Sequence, residues 1–102
     1  MPLVRVSNGG SPLVLTVSTY ADRFSEHRGT LNIPDSHNFK TLTVTSYGTL
    51  PSYTDQPRVT VAGVSYARPA VGTVIDIKGK QFSVSVSDAN ATRTCSITVT
   101  LN

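Results

Sequence analysis

Asp35-Ser36-His37 puts an acid, a hydroxyl nucleophile and a base into one tripeptide, the residue types of a hydrolase triad. Three consecutive side chains cannot stand in line, and a proton relay needs base between acid and nucleophile. No G-x-S-x-G elbow is present to lift a serine onto a strained turn. His27 and His37, with Asp22, Glu26 or Asp35, supply metal-ligand types, but neither H-x-H nor H-E-x-x-H occurs. The six carboxylates (Asp22, Glu26, Asp35, Asp55, Asp76 and Asp88) fall on separate segments, with no spacing that pairs two for glycoside hydrolysis. No glycine-rich phosphate loop is found. The expectation is a protein with no catalytic residues, no metal site and no cofactor.

Recognition is the chemistry that remains. Tyr47 and Tyr53 lie on a segment, Tyr47–Pro57, that carries two prolines and a glycine. Long irregular loops are where binding side chains concentrate. Two tyrosines there could stack on a sugar ring, although the chain lacks tryptophan, the strongest stacking residue. Arg58 and Arg68, just beyond the loop, complete the candidate binding set. Asn90-Ala91-Thr92 has the form of a glycosylation acceptor.

The elements that carry these residues are strands. Phe82, Val84 and Val86 alternate with Ser83, Ser85 and Ser87; Cys95, Ile97, Val99 and Leu101 alternate with Ser96, Thr98 and Thr100. A period of two with β-branched residues marks a half-buried strand. With Asp88–Ala91 as the turn, residues 81–101 read as a β-hairpin with seven inward apolar side chains. Leu3–Val6, Leu13–Thr19, Thr30–Ile33, Phe39–Ser46, Arg58–Tyr66 and Thr73–Ile77 read as further strands. In Arg58–Tyr66 the apolar phase flips at Ala62-Gly63, which reads as a bulge. Lys78-Gly79-Lys80 reads as the turn leading into the closing hairpin. Thr19 as cap and Gly29 as stop allow one short helix near 20–28. The fold expected is all-β: a two-layer antiparallel sandwich of about 7–8 strands, immunoglobulin-like or jelly-roll, in one domain over residues 1–102.

Phe82-x-Val84-x-Val86-x-Asp88-x-Asn90, followed by Ile97-x-Val99, resembles the closing hairpin of bacterial and phage immunoglobulin-like domains. The resemblance covers residues 81–101. It implies a β-sandwich topology and carries no activity. The inter-sheet cysteine pair and core tryptophan of antibody-type domains are missing.

Composition narrows the partners. Of 102 residues 15% are charged, against about 25% in an average soluble domain. Twenty-six serines and threonines fill the gap. The net charge of +3 comes from scattered basic residues rather than a stripe with interleaved aromatics, so nucleic acid is not an expected partner. The single cysteine, Cys95, sits on an apolar strand face and reads as a small buried hydrophobe. No signal peptide and no membrane-spanning run is read. Faces built of hydroxyls rather than lysine and glutamate lose less on leaving water. They point to protein–protein contact in a repeated assembly: with copies of itself, or with a viral shell or tail protein. The expectation is a non-enzymatic structural protein of a virus particle (minor capsid, decoration or tail-associated), with a carbohydrate-binding module as the alternative.

Overall fold

The computed structural model describes residues 12–19, 27–36, 38–89 and 93–102. Among the described residues eight strands form two four-stranded antiparallel sheets. They are β1 (Leu13–Ser18), β2 (His27–Ile33), β3 (Thr41–Tyr47), β4 (Arg58–Val61), β5 (Val64–Ala67), β6 (Val74–Asp76), β7 (Phe82–Asp88) and β8 (Ser96–Leu101). One sheet has the order β1-β8-β3-β6, the other β2-β7-β4-β5. The pairs nest: β4 with β5, β3 with β6, β2 with β7 and β1 with β8. The chain is one long hairpin doubled back at Ala62-Gly63 and then split between two sheets.

The alternating residues build the core as expected. Phe82, Val84, Val86, Cys95, Ile97, Val99 and Leu101 are all buried, at 3% exposure or less. Leu42, Val44, Val59, Val61 and Ile75 join them, so both sheets contribute to one apolar cluster. Burying such a side chain stabilises by about 1.5–3 kcal/mol. Where Gly29 crosses beneath the end of β1, a Cβ would run into the Ser18 carbonyl, whose carbon lies only 2.7 Å away. The missing side chain lets β1 and β2 approach at that corner.

Several connections differ from expectation. β7 and β8 do not pair with each other: β7 lies between β2 and β4, and β8 between β1 and β3. Each strand already has two neighbours, and their inward faces meet the core from opposite sheets, so β7 ends in one sheet and β8 begins in the other with no hairpin pairing between them. Lys78-Gly79-Lys80 does form a turn, Lys80 N–H donating to Ile77 at 2.9 Å, but it too leads from one sheet to the other. The bulge at Ala62-Gly63 is a two-residue hairpin turn. Ala62 has φ 49° and Gly63 φ 87°, the positive pair that matches the twist of the flanking strands. Such a turn pairs Val61 with Val64 and Val59 with Tyr66, which accounts for the phase flip.

Gly29 does not end a helix, because His27–Ile33 is strand. The rest of that helix, the strand at Leu3–Val6 with its following turn, His37 and the Asn90–Thr92 acceptor lie outside the described residues. Val14, whose position on β1 hinted at covering on both faces, is 61% exposed. Among the described residues no helix is long and apolar enough to cross a membrane.

Candidate functional site

The four candidate binding residues gather around the 48–57 loop, and much of their bonding is internal. Arg68 is half-buried at a positive φ of 42°, a conformation costing a non-glycine residue about 1–2 kcal/mol. Its guanidinium offsets that cost by closing the loop. Nε donates to the Gln56 carbonyl at 2.6 Å, and Nη2 to those of Pro51 at 3.0 Å and Tyr53 at 2.8 Å. A planar fork with several donors suits three converging carbonyls where a lysine would not. The Gln56-Pro57 bond in the same loop is cis. Tyr47 ends β3 half-buried, its hydroxyl donating to the Pro69 carbonyl. Burial pushes the Tyr47 phenol above its ordinary pKa, opposed by the positive charge of Arg68. Arg58 bonds to Asp55 and, at 3.1 Å, to Ser65 Oγ.

Leu50 and Tyr53, at 43% and 38% exposure, are the loop's outward apolar side chains. The loop is thus a fixed shape presenting these two. Replacing Arg68 by glycine keeps the backbone conformation and removes the clasp. Amide exchange across residues 48–57 should then accelerate at least tenfold, for a stability loss of about 1–2 kcal/mol; hydrogen exchange by mass spectrometry checks both.

A second polar cluster was not anticipated. Asp88, read as a turn residue, is the fully buried last residue of β7. Its carboxylate accepts from Ser52 N–H at 2.9 Å, Arg93 Nε at 2.6 Å and the Cys95 thiol at 3.3 Å. The signal was present, since continuing the period of Phe82, Val84 and Val86 by two points residue 88 inward. Hydrogen bonding to Asp88 raises the Arg93 pKa. Burial, then the Asp88 carboxylate, pushes the Cys95 thiol up. A reactive thiol needs the opposite surroundings.

The raised thiol fixes the sign of a pH effect. Above the unfolded thiol's pKa of about 8.5 the unfolded chain gives up a proton that the folded chain keeps. The contribution is therefore complete below that value and lost as pH rises through the raised folded pKa. Urea midpoints should fall as pH rises above about 8.5 in the native chain and more shallowly in Cys95→Ala; parallel slopes in the two would contradict this.

The residues first weighed for catalysis have structural roles where they are described. Ser36 is buried and donates to the Ile77 carbonyl at 2.6 Å. Thr19, expected to cap a helix, is buried and accepts from Cys95 N–H at 2.9 Å. Among the described residues no three metal-ligating side chains come together.

The outer sheet faces differ in charge. On the β2-β7-β4-β5 sheet the serines of β7 stand between arginines, with Arg28 opposite Ser87 and Arg58 opposite Ser85. On the β1-β8-β3-β6 sheet three cross-strand rows carry no charge: Val14–Thr100–Thr43–Val74, Thr16–Thr98–Ser46 and Ser18–Ser96–Gly48. Its hydroxyls are partly satisfied within the sheet. Thr16 and Thr98 bond to each other at 3.0 Å, and Thr45 donates to the Thr98 carbonyl at 2.8 Å. No family model matches the chain, and no curated protein or solved structure does either.

Proposed function

We propose that this chain is a non-enzymatic structural component of a virus particle, a minor capsid, decoration or tail-associated domain acting through protein–protein contacts in a repeated assembly. The observation that carries the reading is a set of three uncharged cross-strand rows on the outer face of the β1-β8-β3-β6 sheet, bordered at the β6 edge by Asp76, which pairs with Lys80. Hydroxyls already bonded within the sheet lose little on leaving water, whereas lysines and glutamates would have to be desolvated or paired. A face open only to solvent has no reason to keep charge out of three successive rows, and doing so leaves that patch easy to cover.

The nested strand pairs add support. Rolling one long hairpin into two sheets is the plan of a jelly roll, a fold used by viral capsid proteins and by lectins. Fold alone assigns no activity. The glycan-binding alternative has less to stand on, since the Tyr47 hydroxyl is engaged by Pro69 and its ring is half-buried.

The test is sedimentation with particles purified from the native source. The reading expects the chain to pellet with intact particles and to leave them when they are dismantled. Recovery of the chain solely in the particle-free fraction would overturn it.

A further inference from the structure

The row Val14–Thr100–Thr43–Val74 crosses all four strands of the β1-β8-β3-β6 sheet and reads the same from either edge. Its two valines are among the most exposed large apolar side chains described, at 61% and 59%. They stand on the edge strands β1 and β6, on the face pointing away from the core; their neighbours Leu15 and Ile75 pack against or within it. Between them Thr100 and Thr43 face each other across the β8–β3 pair.

We propose that this face docks on the same face of a second copy of the chain, with the valine–threonine row at the two-fold axis. This names the partner and surface of the assembly reading and rests on it. A closed two-fold interface uses one patch twice, so the patch must complement itself. A two-fold axis parallel to the strands through the centre of this palindromic row brings Val14 against the Val74 of the second copy and Thr100 against its Thr43. Charge argues the same way. The chain carries +3 overall, so two copies repel least where they meet on rows without charge; Asp76, two residues from Val74 on this face, is paired with Lys80. The other sheet would bring Arg28 and Arg58 against their counterparts, and like charges juxtaposed at an interface are costly.

Area sets the strength. Four strands about 4.8 Å apart, with about five residues each in contact, give a face on the order of 300 Å². A stable pairwise interface buries about 800 Å² on each partner. Isolated pairs are therefore weak, and the contact becomes effective where many copies are held side by side.

Sedimentation velocity on the purified full chain, up to about 1 mM, is the first measurement. A concentration-dependent dimer is expected. Val14→Lys/Val74→Lys should weaken it roughly tenfold or more, while Val64→Lys, exposed on the other sheet, leaves it unchanged. Circular dichroism establishes that the variants are folded. As a geometric check, Val14→Cys mixed with Val74→Cys should give oxidised cross-linked dimers through the introduced thiols, and Ser65→Cys on the other sheet should not. A strict monomer at 1 mM, or a Val14→Lys/Val74→Lys protein that dimerises as tightly as the native chain, overturns the inference. If that double variant also still pellets with particles as the native chain does, the assembly reading stands and only this face is wrong. If the native chain never pellets, the assembly reading itself has failed.

Discussion

Gly29→Ala should unfold or nearly unfold the protein. The added methyl group would point at the Ser18 backbone, with the carbonyl carbon 2.7 Å away and the oxygen closer still. Overpacking a core usually costs about 1–3 kcal/mol, because flexible side chains can move aside. Here the obstacle is main chain. Ser18 is held by its register opposite Ser96 on β8, and Gly29 by its register opposite Val86 on β7. Relief means separating the two sheets at that corner or breaking a ladder. We expect a loss of at least about 3 kcal/mol, a large part of the 5–15 kcal/mol that holds a typical domain. Urea denaturation measures it. A Gly29→Ala midpoint within error of the native chain would show that the corner gives easily.

Asp88→Asn should cost about 2–4 kcal/mol and lower the melting temperature by on the order of 10–25 °C. The carboxylate is fully buried and accepts from Ser52 N–H, Arg93 and Cys95. An amide keeps the shape, removes the charge and turns an NH2 group towards one of these donors. Hydrogen bonds to charged groups contribute about 1.5–3 kcal/mol, and the donors abandoned inside lose more than the bond itself. Arg93→Gln should also destabilise, because it leaves the fully buried Asp88 carboxylate without its counter-charge. Cys95 reports the same event, since loss of its bond to the Asp88 carboxylate should loosen the buried thiol and speed its alkylation. If Asp88→Asn melts with the native chain and Cys95 stays protected, Asp88 does not anchor the end of β7.

These two positions mark the boundary of what local pattern conveys. Alternation announced β1, β3, β7 and β8 because a strand with one face in a core must repeat every two residues, and its seven core residues in β7, β8 and the approach to β8 are buried as read. Pairing carries no comparable signal. The inward faces of β7 and β8 look alike whether the strands share a sheet or oppose each other, and their neighbours, β2 and β1, lie far back in the chain, Ile33 pairing with Phe82 and Ser18 with Ser96. The phase flip at Ala62-Gly63 fits a bulge or a two-residue turn equally well without an asparagine or aspartate to favour the turn. Gly29 fits a helix stop until Ser18 is placed beside it. Asp88 was readable by parity and was obscured by its resemblance to a turn residue. At the candidate site, the tyrosines and arginines were found as a neighbourhood, but that Arg68 bonds inward to three carbonyls depends on a loop path no local pattern specifies.

One experiment bears on the central claim more directly than any variant: electron microscopy of particles from the native source, labelled with gold-conjugated antibody against this chain. The account predicts label repeated at regular intervals on the particles, as a component with a fixed lattice position requires. Unlabelled particles alongside abundant free chain would contradict it.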